Sequence, residues 1–393
     1  MGILDNVKVV DFTHAYSGPF CSMNLADYGA EVIKIERIQG GDQARSWGPF
    51  KDDYSGYYAS FNRGKKSVTL NIACPDGRKV IFDLIREADI VISNFKAGTL
   101  EKYGMGYEQM KRINPEIIYA SLSGFGTQGE LSAYAAYDNV IQGMSGIMDL
   151  NGFPDGDPTK IGPAIGDSYS GLVLLIGILI AYYHRLKTGE GQKIDATMLG
   201  SLITSLEYPI MEYTNLNKLV SRMGNRNPYY APGDVYKTKD GYIAVSAKDD
   251  AQWETFCRTL EAEALLEKEE YETNELRLGH ADQLKEDLEK LFAEHGMHEI
   301  EQSLEQAGIA AAHVMGIEEA LEDEHLLARK MVINVEDPGV GPIKLVGNPI
   351  KLSESKPVTN IPSPLLGENT EEILAEIGYT EEDINQLREE GVI

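Results

Sequence analysis

The chain has 393 residues, 42% of them hydrophobic, enough to bury a large core and consistent with two domains or one large domain carrying an insert. A formal net charge of −26 argues against nucleic acid and against an anionic membrane surface as partners, while leaving an anionic small molecule open. The three cysteines, Cys21, Cys74 and Cys257, are far apart and form no CxxC pair, which suits a reducing cytoplasm and points to neither a disulfide framework nor a metal site.

In chain order, the first residues lack a charged region followed by an apolar stretch, so no signal peptide is expected. Val7 to Phe12 reads as a strand, Thr13 to Pro19 as a polar loop, Phe20 to Tyr28 as a helix stopped by Gly29, and Glu31 to Ile35 as a second strand. Strand, loop, helix and strand in this length predict a βαβ unit with a parallel sheet. Ligands of such sheets bind at the carboxyl ends of strands, which places His14, Ala15, Tyr16 and Arg37 near a site. Lys34, Arg37, Arg45, Lys51, Arg63, Lys65 and Lys66 form a local basic concentration, either an anion-attracting face or an ordinary solvated one.

Further strands are predicted at Ser67–Ile72, Asp89–Ser93 and Ile117–Leu122, with a helix over Arg78–Glu87. The segment Gly124-Phe125-Gly126-Thr127-Gln128-Gly129 matches GxGxxG formally. A dinucleotide site needs those glycines to open a helix, and here they lead into Glu130–Tyr134, with a helix predicted only over Tyr137–Met148.

The chain is organised around Lys160 to Thr197. A Gly/Pro-rich loop presents Asp167, and an apolar run from Leu172 to Ile180 follows. Asp167-Ser168 is expected to cap a helix whose last turn carries Arg185 and Lys187 and which Gly189 ends. The apolar run of about 10 residues is roughly half the ~20 that span a bilayer, so a core helix is expected, not a membrane anchor. The positive end of the helix dipole should favour the ionised carboxylate, the state a nucleophile needs. Gly162, Gly166 and Gly171 leave the nearby backbone open to a ligand, yet on this segment alone Asp167 is more readily a cap than a nucleophile.

Beyond it, Gln192–Ala196 reads as a strand and Met198–Glu212 as a helix. Asn225–Pro232 breaks the pattern, and Asp234–Ser246 reads as a hairpin turning at Asp240-Gly241. Residues 252–306 are acidic and helical. The expected organisation is a large domain over 1–225, a small α+β domain over 226–325, and a segment over 326–393 that returns to the large domain and ends in two short helices split by Gly378.

The chain resembles the class III CoA-transferases, the group with formyl-CoA transferase, carnitine CoA-transferase and the α-methylacyl-CoA racemases. The resemblance runs nearly end to end, through VVDFTHAYSGPFCSMNLADYGAEVIKIER, NFKAGTLEKYGMGYE, SLSGFG, YDNVIQGMSG, GDSYSG, HRLKTGEGQKID, NPYYAPGDVYKTKDGYI and LLGENTEEIL. It implies an α/β fold: a Rossmann-like large domain with a parallel sheet built by both chain ends, a small α+β domain, and a homodimer of interlocked subunits. It also implies coenzyme A as acyl-CoA substrate, no metal, and the aspartate of GDxxSG, here Asp167, as nucleophile. Arg37 would approach the CoA phosphates and Leu70 the adenine, with Tyr16, Asn94, Phe95 and Lys102 as further CoA-binding positions and Tyr137 as an active-site tyrosine. Tyr137 stands where the racemases have histidine. Tyr16 replaces a glutamine of formyl-CoA transferase, whose tetraglycine loop has no counterpart here, so an acid larger than formate or oxalate is expected. Epimerisation of an α-methylacyl-CoA and non-catalytic acyl-CoA binding are the alternatives.

Overall fold

The computed structural model describes residues 2–337 and 339–393. The chain divides into two compact units, one of Met1–Ile147, Lys160–Met211 and Glu324–Ile393, the other of Met148–Thr159 and Glu212–Asp323.

The larger unit is built on a six-stranded parallel sheet of β1 (Lys8–Asp11), β2 (Glu31–Glu36), β3 (Lys66–Thr69), β4 (Ile90–Ser93), β5 (Ile118–Ser123) and β6 (Lys193–Thr197). The spatial order is β3-β2-β1-β4-β5-β6. Its strands alternate between two cores, as a period of two demands. Val10, Ile33 and Val91 face one core, with Ile81 and Ile85 of the Pro75–Glu87 helix. Val9, Val32, Ile90 and Ile92 face the other, with Leu25 of the Ser17–Asp27 helix and Leu174 and Ile178 of a long helix, Ile165–Thr188. Both faces are covered, which is the condition under which an all-parallel sheet persists. Strand order reverses between β1 and β4, so a crevice opens there beyond the strands' carboxyl ends.

The carboxy-terminal segment closes the β3 side. The side chains of Asn369 and Thr370 accept from the amides of Ser67 and Thr69, each at 3.0 Å, and the Val392 carbonyl accepts from the Asn71 amide at 2.8 Å. Ile373, Leu374, Ile384 and Leu387 of the helices Thr370–Glu376 and Glu381–Glu389 complete that core.

Three helices differ from expectation. The one expected over Tyr137–Met148 is two, Asp138–Met144 and Ile147–Leu150, parted by Gly146 at φ +87°. That expected over Met198–Glu212 is also two, Met198–Thr204 and Glu207–Leu216. The long helix begins two residues before Asp167, so Asp167 sits inside its first turn and does not cap it. Its end is as expected, with Arg185 and Lys187 in the last turn and Gly189 as the left-handed cap, and its 24 residues extend well beyond the apolar run. Among the described residues it alone is long and apolar enough to cross a bilayer. Here Leu174, Leu175, Ile178 and Ala181 of that helix are buried in the core.

The smaller unit carries an antiparallel sheet of β7 (Gly233–Lys237), β8 (Tyr242–Ser246) and β9 (Ala310–His313), with β8 in the middle. The β7–β8 turn is held by the Thr238 side chain, which accepts from the Gly241 amide at 3.0 Å. Trp253, Phe256, Leu284, Leu288, Phe292, Ile300 and Leu304 of the helices Asp250–Thr259, Ala281–Phe292 and Met297–Gln306 pack on the sheet. Arg277 is fully buried there and donates to the Ala231 and Tyr271 carbonyls and to Asp250.

Candidate active site

The crevice at the strand reversal is built by the loops after β1 and β4. Asn94, just past β4, uses both ends of its amide on one residue of the other loop: Oδ1 accepts from the His14 amide at 2.9 Å and Nδ2 donates to the His14 carbonyl at 2.8 Å. The next residue, Ala15, holds φ +66° while its amide donates to Asp42 at 3.0 Å. A left-handed alanine is strained, and the fixed neighbours on either side keep it there. The Ser17–Asp27 helix then starts hard against the loop, because a Cβ on Gly18 would fall 2.4 Å from the Thr13 side chain.

Asp167 reaches the start of that helix instead of capping its own. Ser17, the first residue of that helix, favours the charged form of the Asp167 carboxylate. The close approach depends on glycine, since a Cβ at Gly171 would lie 2.6 Å from the Ser17 carbonyl oxygen. The long helix's open amide at Gly166 is taken by Asp138, whose Oδ1 accepts from it at 2.7 Å. Asp138 Oδ2 accepts from Gln142 at 2.8 Å, and Gln142 in turn accepts from the Ile161 amide at 2.8 Å. Asp138, Gln142 and Ser17 were not singled out in the sequence. The available signal was Asp138 opening a helix four residues before a glutamine, a spacing that pairs side chains on one face.

The electrostatics overturn the expectation that the dipole would hold Asp167 readily ionised. Burial, with the charge of Asp138 adding to it, pushes its carboxyl up to about 6, against the opposing influence of Ser17. At pH 7 the group is still mostly ionised, and it is a more basic, hence stronger, nucleophile than a free aspartate.

Two adjoining clefts share His14 and Gln43. One, of about 190 Å³, is lined by Asn94, Lys96, Tyr134, Tyr137, Asp167 and Met198 among others. The other, of about 260 Å³, is lined by Phe12, Arg37, Gly41 and Phe95 among others. Tyr137 is 59% exposed at the first turn of the Asp138–Met144 helix. Tyr16 stacks on Phe61 with ring centres 4.0 Å apart. Burial raises its phenol above the usual value, so it stays neutral at pH 7. Burial likewise lowers the His14 imidazole, whose ring lies 5.2 Å from that of Phe95. Leu70 is buried in the core at 2% exposure, and Lys102 lies exposed at the end of the Thr99–Lys102 turn; neither lines a cleft.

The basic stretch is mostly neutralised. Lys34 pairs with Asp42 at 2.8 Å, Lys65 with Asp11 at 3.1 Å, Arg45 with Glu36 at 2.6 Å, Arg63 with Asp27 at 2.7 Å, and Lys66 with Glu31 and Glu372 at 2.8 Å each. Most of these cations are scaffolding beneath the clefts, not an anion-attracting surface. Arg37 is different: among the described residues it pairs with no carboxylate and donates only to the Gly41 carbonyl, at 3.2 and 3.0 Å. It stands exposed on the wall of the larger cleft with charge to offer a ligand.

A doubly wound sheet places its ligand crevice at the strand reversal, where Asp167 lies, and the sequence supplies the class. The pattern of CoA-transferase family III matches residues 4–370, and the chain belongs to that family. It is 36% identical over 388 residues to the succinyl-CoA:mesaconate CoA-transferase of Haloarcula hispanica, covering 96% of this chain and 97% of that one. It is 36% identical over 392 residues to the succinyl-CoA:glutarate CoA-transferase of Homo sapiens, covering 99% and 90%. The crystal structure of a CAIB/BAIF family protein from Brucella suis superposes with a TM-score of 0.86 at 35% identity, covering 96% of this chain and 99% of that one. The chain is thus a class III CoA-transferase, an enzyme whose substrates are CoA thioesters and carboxylic acids.

Proposed function

We propose that the enzyme moves coenzyme A between two dicarboxylic acids, succinyl-CoA being the donor, through covalent intermediates on Asp167. The observation that carries this is the Asp167 carboxylate itself, half-buried at the strand-reversal cleft and raised in basicity by burial and Asp138. An Asp167 oxygen attacks the thioester carbonyl, the C–S bond breaks, and CoA leaves as thiolate with a mixed anhydride left behind. The thiolate attacks the aspartyl carbonyl, the anhydride C–O bond breaks to release the first acid, and an aspartyl-CoA thioester remains. The incoming carboxylate attacks that thioester and expels the thiolate, which then attacks the acyl carbonyl of the new anhydride and regenerates Asp167. No step needs ATP or a metal. The exposed Tyr137 phenol donates to the developing oxyanion.

The choice of dicarboxylates follows from the relatives, whose names specify succinyl-CoA with mesaconate or glutarate as partner acid. Lys96, on the wall of the Asp167 cleft, is the cation for the acid's second carboxylate. CoA extends from Asp167 into the neighbouring cleft, with Arg37 on its phosphates and Tyr16, Asn94 and Phe95 along its path. Leu70, buried in the core, and Lys102, outside both clefts, are given no contact with CoA in this reading. In this reading the CoA-binding domain comprises 1–225 with 326–393, and 226–325 is the small domain.

A homodimer of interlocked subunits completes the proposal. Leu172, Ile176, Leu179, Ile180, Tyr183 and Leu186 line the long helix as exposed large apolar side chains, a surface rarely left to water. A second copy covers it, not a membrane, whose anionic surface a chain of charge −26 would avoid. Light scattering should give twice the chain mass of 43.4 kDa. The free thiols Cys21, Cys74 and Cys257 fit the reducing cytoplasm.

The decisive experiment is intact mass after incubation with succinyl-CoA and hydroxylamine. A hydroxamate on Asp167 is expected. Deuterium uptake at the substrate α-carbon without any acceptor acid, and no adduct, would replace transfer by epimerisation.

A further inference from the structure

The smaller unit gathers two histidines and two glutamates that no part of the transfer chemistry uses. His298 and Glu301 lie on the Met297–Gln306 helix, His313 ends β9, and Glu319 lies on the helix Ile317–Glu322 that follows. Glu301 is 2.6 Å from Nδ1 of His313 and 3.6 Å from Nδ1 of His298. His313 Nε2 is 2.7 Å from Glu319, and the two imidazole centres are 4.4 Å apart. One donor atom each from His298, His313 and Glu319 falls within a common 4.8 Å.

This differs from an ordinary surface ion pair in three ways. Two imidazoles in contact cannot both carry charge without repelling, so a proton satisfies the cluster only in part. The arrangement of Glu301 against Nδ1 of His313 is the outer carboxylate that fixes a metal-ligating histidine and aims its Nε2 at the ion. The His313 side chain is 7% exposed, whereas those of His298 and Glu319 are 62% and 44% exposed, so the site has a firm inner wall and an entry path. Bonds of about 2.0–2.1 Å in a tetrahedron set ligands roughly 3.3 Å apart, so His313 and Glu319 need only part by about half an ångström.

We propose that His298, His313 and Glu319 bind one divalent transition ion of the zinc class, with Glu301 positioning His313 and a water in the fourth place. Two nitrogens and one carboxylate oxygen suit Zn²⁺ over Mg²⁺, which prefers an all-oxygen shell. The ion ties β9 to the helices on both sides. Widely spaced cysteines gave no reason to expect it, and this site uses none.

The test is a titration of untagged, chelator-stripped full-length protein with Zn²⁺ against a chromophoric competitor. One Zn²⁺ per chain with a Kd at or below about 1 µM is expected. Binding should weaken at least tenfold in His298→Ala and in Glu319→Gln, and by 10–100-fold in Glu301→Gln. Absence of saturable binding, or affinity unchanged in both ligand variants, overturns the proposal. Co²⁺ added to the unaltered protein gives an answer independent of variant folding: intense visible bands of a four-coordinate ion support the site, and a weak six-coordinate spectrum rejects it.

Discussion

Asp42 and Asp167 show how the same side chain takes opposite roles in one unit of this protein. For both, burial works against the charge. At Asp42 the Lys34 ammonium at 2.8 Å and the amides of Ala15 and Ala44 outweigh it and hold the carboxyl down at about 2. At Asp167 burial and the like charge of Asp138 outweigh the influence of Ser17, and the carboxyl stands at about 6. Position near a helix start therefore decides little. The sign of the nearest full charge makes one aspartate a fixed strut under the loop and leaves the other basic, poorly satisfied and available to react.

The comparison breaks most sharply when the reactive member is removed. Asp167→Asn should lower CoA exchange between labelled succinate and succinyl-CoA by about 10⁴-fold or more, since the proposed covalent route would lose its nucleophile. Its stability should move the other way. A carboxyl raised from 3.8 to about 6 makes the folded state lose stability as pH rises through that window. Asp167→Asn escapes that loss and should gain about 1–2 kcal/mol above pH 6, after allowance for the group's partial exposure, seen as a higher thermal midpoint. Lys34→Met does the reverse. It strands Asp42 with buried negative charge, leaves Asp11 with Lys65 as its remaining cation, and should cost about 3–5 kcal/mol at neutral pH, with a lower midpoint in thermal unfolding.

Much of this was legible in the sequence because it is periodic or punctuated. Val9 and Val10, or Ile90 to Ile92, announce doubly buried strands, and Gly124–Gly129 could be set aside as a nucleotide fingerprint because the residues after it do not open a helix. The structure agrees, placing a short turn at Glu130–Ala133 and the next helix at Asp138. Asp167 was legible as a residue but not in its electrostatics, which depend on Asp138, 29 positions away, and on Ser17, 150 away. The same applies to the basic stretch: Lys34 and Arg37 differ by three positions, yet one is fully buried against Asp42 and the other stands free on a cleft wall. Partners brought together only by tertiary packing carry no local signal.

The smallest and most discriminating change is Asp138→Asn. An asparagine oxygen still accepts from the Gly166 amide, so the first turn of the long helix keeps its partner while the like charge beside Asp167 disappears. Burial remains the larger cause, so the Asp167 carboxyl should fall only part of the way from about 6 toward 3.8. If Asp167 is the nucleophile proposed above, the acid limb of kcat/KM is expected near pH 6 in the unaltered enzyme and should shift to lower pH by about half a unit to one unit. At pH 7 the rate should drop by a few-fold, because a less basic carboxylate is a weaker nucleophile even though slightly more of it is ionised. An acid limb that stays in place would mean that Asp138 serves Asp167 only as a prop for Gly166, and that burial alone sets the basicity of the carboxylate.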